Sequence, residues 1–304
     1  MKVFVTGATG ALGSHAVPAL VAAGHSVTAL ARTPRKAAAL TEQGATPVQL
    51  SLFDRAALAD AMKDHDVVAN LATALPSMAK FMSTNAHKYN EHIRTDGSAA
   101  VVDAALAAGV GRLLQESVAM LYPDRGSKWV DEDAPVDNYP MTRGNLAAEA
   151  NARRFTAAGG TGVILRFGWF YGPGATHAEQ MLAQARYHVG MMPGPPDGYL
   201  SVIHMADAGS AVAAALTAPA GTYNVVDDEP LTKREFTDAL GHAAGKKPWL
   251  RVPGRAALLF GDRLTSLSRS LRVSNARFRE ATGWAPRYPS AREGWPATAA
   301  DLRS

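Results

Sequence analysis

The stretch that most constrains this chain is "VTGATGALGSH" at 5–15, which sets Gly7, Gly10 and Gly13 between an apolar β-branched run and an Ala- and Val-rich helical segment. Glycines there let the chain turn tightly, let backbone N–H groups approach a pyrophosphate, and let the helix pack close to the sheet. The helix N-terminus adds partial positive charge that favours an anion. Alone the spacing is a weak signal. At residue 7, inside a strand-turn-helix that leads a βαβ series, it predicts a dinucleotide site.

Short β-branched runs at 2–7, 26–31, 46–51, 66–72, 112–117 and 162–167 alternate with helical stretches at 12–23, 35–43, 55–63, 96–108 and 142–158. This alternation predicts an α/β fold, a doubly wound parallel sheet of the Rossmann type. Asp54 stands where it caps the third helix. Pro18, inside the first helix, has no functional account. Beyond Phe167 the alternation gives way to turn-rich "WFYGPGAT" and "MMPGPPDGY", one more strand at 222–226 and an irregular tail. The expected organisation is a dinucleotide-binding domain over 1–168, rejoined by 201–227, and a smaller carboxy-terminal substrate lobe from 169–200 and 228–304.

Length and composition narrow the class. With 304 residues, 47% hydrophobic and 19% charged, the chain has the make-up of a globular protein with a full core. No apolar run nears the roughly 20 residues that span a bilayer, and the first residues lead straight into strand and glycine turn rather than a signal peptide. There is no cysteine, which excludes disulfides, thiolate catalysis and Cys-ligated metal, and no His, Asp and Glu grouping has metal-ligand spacing. A cytoplasmic location is the expectation. The net charge of +4 does not point to nucleic acid. Nine arginines crowd 251–292 against Asp262 and Glu280, read as a solvated basic face ahead of an anion-binding lobe.

The second strand ends at Leu30, Ala31 and Arg32, followed by Arg35 and Lys36. An NAD site carries a carboxylate at this strand end to accept from the ribose hydroxyls. Cations without a carboxylate suit a 2′-phosphate, so NADP(H) is expected ahead of NAD(H), with Arg32 carrying the argument. Asp54 is a further candidate, against adenine.

"TGATGALG", "DVVANLA", "YGPG" at 171–174, "SVIHMADAGSAV", "GTYNVVDDEPLT" and "SNARFREATGWAP" together resemble the extended short-chain dehydrogenase/reductases, the NAD(P)-dependent epimerase/dehydratase family. The resemblance runs nearly the whole length and implies dinucleotide in the first domain and a small-molecule substrate in the second, in a monomer or homodimer with neither nucleic acid nor membrane as partner. For the cofactor it implies Gly7, Thr9, Gly10, Ala11, Leu12 and Gly13 in the loop, Leu71 and Ala72 after the fourth strand, and Asn145 and Phe167.

The family's chemistry uses a Ser or Thr after the fifth strand and a Tyr-x-x-x-Lys on the next helix, commonly with a Glu four residues beyond the Lys. In "NYPMTRGNLAAE", Glu149 sets the register and puts Met141 at the Tyr position and Asn145 at the Lys position. Counting back from Tyr122 puts Val118 at the Ser position. Ser117 substitutes only if the strand has ended there, because adjacent strand residues face opposite ways. Tyr139 with Arg143 is the remaining candidate for a phenol and its cation. Pro140 favours the first helical position and leaves Tyr139 outside the helix, so the two do not share a helix face.

Other residues have structural readings. Asp207 reads as the cap of a helix through Leu216, His204 as a buried strand residue and Arg166 as a paired one. Tyr171, Gly172 and Pro173 resemble the family's loop beside the nicotinamide. Met78, Met82, Met181, Met191 and Met192 fall in segments expected to line an adaptable substrate cleft, and His87, Tyr89 and His92 border it as candidate acids. The expected function is an NADP(H)-dependent oxidoreductase of the epimerase/dehydratase type with a non-standard proton donor, acting on an unidentified small organic substrate. Two alternatives stay open: an inactive dinucleotide-binding sensor, and a nucleotide-sugar epimerase.

Overall fold

The computed structural model describes residues 1–75, 84–190, 192–246, 250–251 and 268–303. Met78, Met82, Met191, Arg255, Asp262 and Arg263 lie outside them. The chain divides into two compact units, the first from 1–117, 143–166 and 208–223, the second from 118–142, 167–207 and 224–304. Residues 118–142 thus cluster with the second unit, and the return to the first begins at Ala208.

Unit 1 carries β1 (Lys2–Thr6), α1 (Gly13–Ala22), β2 (Ser26–Ala31), α2 (Pro34–Glu42), β3 (Thr46–Gln49), α3 (Arg55–Met62), β4 (Val67–Asn70), α4 (Thr84–His92), α5 (Ser98–Ala107), α6 (Arg143–Ala157) and all but the last residues of β5 (Arg112–Val118), β6 (Thr161–Phe167) and β7 (Gly221–Val225), whose ends at Val118, Phe167 and 224–225 fall in unit 2. The strands form one sheet in the order β7-β6-β5-β4-β1-β2-β3. β1 pairs in parallel with β2 and β4, β2 with β3, and β4 with β5. This is the doubly wound α/β fold that the alternation predicts. Residues of β1 and β4 are buried almost without a break, as a sheet covered on both faces requires. Phe4, Leu58, Val68, Val101, Leu113 and Ile164 pack one side of the core.

Local chemistry sets the helix starts. Thr33 caps α2 with Pro34 in the first turn, and the Asp54 carboxylate accepts from Ala57 N at 3.1 Å to cap α3. The helical stretch expected from 96 begins earlier, with a five-residue π-helical segment at Ile93–Gly97 that runs into α5.

Three local expectations need correction. α6 begins at Arg143, not Pro140: 140–142 form a turn in which the Thr142 hydroxyl accepts from Tyr139 N at 3.1 Å, so Tyr139 lies outside the helix but not as its flanking residue. Asp207 is no cap. It sits in the first turn of the helix Met205–Ala214, where its carboxylate accepts from the backbone N–H groups of Arg287 and Tyr288. Met192, only 7% exposed, lies in the hydrophobic core of unit 2, and Met181 packs against that core.

In unit 2 an aromatic core joins Tyr171, Phe236 and Trp295, with ring centroids 5.2 to 6.3 Å apart. Capping boxes at Thr232 with Glu235 and at Ser290 with Glu293 start two of its helices, Lys233–Ala243 and Ala291–Asp301. Short strands pair locally: Trp169–Tyr171 with Val202–His204, Tyr199–Leu200 with Leu231–Thr232, and Trp129–Val130 with Arg272–Val273. His204 is buried against Tyr171 and Tyr288, its ring nitrogens meeting Ala206 N and Thr298 Oγ1. Among the described residues no helix is long and apolar enough to cross a membrane.

Candidate active site

The glycine loop of unit 1 is built for close backbone approach. Gly7 has φ +68°, and a Cβ there would run into the backbone of Leu71 and Ala72 at the end of β4. At Gly13 a Cβ would strike the Gly7 carbonyl and the Ala8 backbone. Gly10 N bonds back to Gly7 O and Ser14 N to Gly10 O, both at 2.9 Å, which holds the turn against the start of α1. Ala8 and Leu12 are buried, whereas Thr9, Gly10 and Ala11 stay accessible at the loop's tip.

Around this loop β1, β4 and β5 are tied by a polar ladder: Thr6 to Asn70 at 2.5 Å and Asn70 to Gln115 at 2.8 Å. Arg32, at the end of β2, is exposed, and among the described residues no hydrogen bond or ion pair engages its guanidinium. The cap role of Asp54 uses one carboxylate oxygen. Phe167 is buried in unit 2, its ring tilted against Phe170. Of the residues after β4, His92 bonds Asp96 at 2.6 Å and stacks on Phe53, Tyr89 is exposed, and His87 lies on the same helix α4.

β5 continues through Val118, which keeps extended geometry at φ −132° and ψ 142°. Ser117 therefore faces away from the Val118 side. Its hydroxyl donates to Glu149 Oε1 at 2.8 Å, and Arg166 Nε and one of its terminal nitrogens reach the same carboxylate at 2.8 and 2.7 Å. Arg153 adds a bond at 2.7 Å. Burial pushes the Glu149 carboxyl up, but Arg166, Ser117 and Arg153 outweigh it and hold the group below the usual range. Ser117 is thus spent in a buried ion-pair cluster, and Arg166 is paired as its position suggests.

Next to it, Arg94 of the π-helical segment pairs with Glu116 of β5 at 2.8 Å, both buried. Burial raises the Glu116 carboxyl, and Arg94 only partly opposes it. Gly144 fits under Arg94, whose Cβ would lie 3.0 Å from an added Cβ. The following residue, Asn145, is 5% exposed. Among the described residues its buried Nδ2 has no hydrogen-bond partner, which leaves a donor for an acceptor from outside them. Arg143 is exposed at the start of α6, and Met141 is half-buried.

Tyr139 does have a cation, but not Arg143. In unit 2 its hydroxyl donates to the Met120 carbonyl at 3.0 Å, and the guanidinium of Arg269 lies 4.6 Å from its ring centroid. Arg269 is held from behind by Tyr122 O at 2.8 Å and Asp137 Oδ2 at 2.7 Å. Met120 and Arg269 also border a shallow, water-sized recess whose other walls include Trp169, Leu200 and Leu271. Sequence reasoning missed Arg269 because it is one arginine of a basic tail, 130 residues from its phenol. Among the described residues no group of His, Asp and Glu could hold a metal ion.

A family profile described as NAD(P)H-binding matches residues 7–219. The chain is 33% identical to a 3-diazoavenalumate denitrifying reductase of a Streptomyces species over 97% of its own length and 99% of the relative's. The chain belongs to the NAD(P)H-binding extended short-chain dehydrogenase/reductases. A second relative of this family, at 31% identity over 91% of the chain and 83% of its own length, is the 4-hydroxy-2-methyl-3-oxo-4-farnesyl-3,4-dihydroquinoline-1-oxide ketoreductase of Stigmatella aurantiaca. The fold is that of a human epimerase family protein solved with NADPH, at TM-score 0.79 and 22% identity over 99% of this chain and 100% of that one.

This short-chain dehydrogenase/reductase is an NAD(P)-dependent oxidoreductase by family. The cofactor fits the residues present. The loop leaves no room for side chains at Gly7 and Gly13, its tip is open, and Asn145 presents an unspent buried donor where the family's lysine stands.

Proposed function

We propose that the chain is an NADP(H)-dependent reductase of a small, non-nucleotide organic substrate, with Tyr139 as proton donor. The observation that carries the reading is the pairing of the packed glycine loop with the orphaned Asn145 Nδ2, which together ask for a dinucleotide. When bound, the nicotinamide supplies the hydride. Backbone N–H groups at 9–12 hold the pyrophosphate, Asn145 donates to a ribose hydroxyl in place of lysine, and Arg32 takes the 2′-phosphate. Ser117 and Arg143 act at most by position, Ser117 by fixing Glu149 beneath α6.

On the substrate side, Tyr139 gives a proton from its hydroxyl at the Met120 wall of the recess, and Arg269 over the ring favours the phenolate that remains. The names of the two relatives, a denitrifying reductase and a ketoreductase, support an organic substrate and reduction as the direction.

The test is to titrate NADPH and NADH into the protein and then follow nicotinamide absorbance with a broad panel of ketones, enones and diazo compounds. Turnover of a panel member with NADPH is expected. Tight NADPH binding with no turnover across the panel favours the sensor, the reading that the simultaneous loss of three catalytic side chains at Val118, Met141 and Asn145 supports. NADH bound more tightly than NADPH overturns the role given to Arg32.

A further inference from the structure

Two sides of α6 are held in unit 1. Towards the sheet, Glu149 is gripped by Ser117 and Arg166. On another side Gly144 and Asn151, seven residues or about two turns apart, meet the π-helical segment Ile93–Gly97 and the residue that follows it. The Asn151 amide donates to Ser98 Oγ at 2.8 Å, and that hydroxyl donates to Arg94 O at 2.6 Å. Gly144 lies directly on the aliphatic stem of Arg94, where an added Cβ would come within 3.0 Å of the arginine Cβ and 3.3 Å of its Cδ. The first turn of α6, which carries Asn145, therefore rests on this side chain.

Arg94 is itself fixed, in a way that stability does not explain. It is 3% exposed, and its Nη2 donates to Glu116 Oε1 at 3.0 Å. The other arm of the fork is incomplete: Nη1 and Oε2 stand 2.8 Å apart outside hydrogen-bond geometry, and Nε has no hydrogen-bond partner among the described residues. A buried ion pair offsets its desolvation only when its geometry is good and its remaining donors are satisfied, and neutral replacements of similar volume are often no less stable. What the pair does provide is a locked rotamer under Gly144, because a head tied to a buried carboxylate cannot leave it. The π-helical turn that carries Arg94 is a rare feature that recurs at functional sites.

The residue after Gly144 gives the lock a use. The Asn145 donor is buried and uncommitted among the described residues. It sits in the first turn of a helix, where ends fray, and a donor serves a ligand only if a supporting layer holds it in place. We propose that Arg94 is a positioning residue for the cofactor contact of Asn145: clamped by Glu116, its stem holds the first turn of α6 at Gly144 so that the Asn145 amide stands ready for the dinucleotide. The proposal rests on the reading in which Asn145 donates to bound NADP(H).

The experiment titrates the full chain with NADPH by nicotinamide fluorescence, in the parent, in Asn145→Ala, in Arg94→Met with Glu116→Gln, and in all three substitutions combined. The paired substitution leaves no unpaired buried charge, and urea denaturation reports whether its fold survives. Asn145→Ala is expected to weaken NADPH roughly 5-fold, the worth of one neutral hydrogen bond, and the paired substitution by a similar factor. The combined form is expected to lose about 5-fold rather than about 25-fold, because an effect exerted through Asn145 vanishes once its amide is gone. Arg94→Lys, which keeps a stem and a charge, is expected to stay within about twofold of the parent.

Gly144→Ala keeps the test open if the paired form does not fold. Alanine is the better helix former, so α6 is not weakened, yet the methyl displaces the Arg94 stem. NADPH affinity is expected to fall in the parent background and to stay unchanged in Asn145→Ala. Parent-like affinity in the folded paired form, or losses that multiply in full with that of Asn145→Ala, overturns the positioning role alone. If the parent does not bind NADPH, or Asn145→Ala binds it as tightly as the parent, the cofactor reading itself is overturned and the positioning role falls with it.

Discussion

The guanidinium of Arg269 lies 4.6 Å from the ring centroid of Tyr139, while the phenol donates to the Met120 carbonyl at 3.0 Å. The contact joins residues 130 apart in the chain, and in the proposed mechanism Arg269 takes the part of the family's lysine. If Tyr139 donates the proton, Tyr139→Phe lowers kcat by roughly 100-fold or more and leaves NADPH affinity unchanged. The loss of one half-buried hydrogen bond costs about 1 kcal/mol of stability. Steady-state rates on any substrate found in the panel check this, and an unaltered kcat removes Tyr139 from the mechanism.

Gly13→Ala drives a methyl into the Gly7 carbonyl and the Ala8 backbone, so the loop must open. Overpacking of this kind costs about 1–3 kcal/mol, and the loop's ability to hold a pyrophosphate is lost. The expected result is a lower Tm together with the disappearance of the Tm rise that NADPH gives the parent protein. A retained NADPH shift would separate the loop from the cofactor.

Arg32→Ala tests the choice of cofactor. A hydrogen-bonded charge pair to a phosphate is worth about 1.5–3 kcal/mol, or roughly 10- to 100-fold in affinity. NADPH binding is expected to weaken by that factor and NADH binding to stay the same, as read by nicotinamide fluorescence. Equal effects on both would assign the 2′-phosphate elsewhere.

Glu149→Gln leaves Arg166, 3% exposed, without its anion. Breaking such a buried pair costs about 3–5 kcal/mol. Because the folded Glu149 carboxyl sits below the usual value, its contribution is fully present above the unfolded pKa of about 4.3 and is lost as pH falls through the folded value. Urea denaturation between pH 3 and 7 should show an acid-side decline in the parent protein that the variant largely lacks.

Asp227 behaves oppositely. It is 1% exposed, neither of its oxygens has a hydrogen-bond partner among the described residues, and burial followed by Asp228, Glu229, Glu293 and Asp207 pushes its carboxyl well above the usual range. A raised carboxyl binds its proton more tightly when folded, so it increasingly opposes folding as pH rises from the unfolded pKa of about 3.9. Asp227→Asn, uncharged throughout, is expected to raise Tm by about 2 °C or more at pH 8 and to change it little at pH 4. A lower Tm at pH 8 would show an ionised Asp227 making a favourable contact.

The sequence by itself determined what is local. Gly7, Gly10 and Gly13 after an apolar run set the strand-turn-helix, Asp54 sets the start of α3, and the alternation of runs sets a parallel sheet, because periodicity, caps and glycine turns act over a few residues. Counting helix register from Glu149 is also what leads to the expectation that Met141 and Asn145 stand at the family's Tyr and Lys positions. Only the tertiary structure decided where β5 ends, and hence that Ser117 donates to Glu149, the carboxylate that Arg166 also holds. The tie of Asp207 to 287–288 was hidden as well, because its expected local capping use gives way to backbone N–H groups far along the chain. The pairing of Tyr139 with Arg269 was out of reach of pattern, because an arginine's place in sequence says nothing of which ring it meets when partners far apart in the chain are brought together by packing.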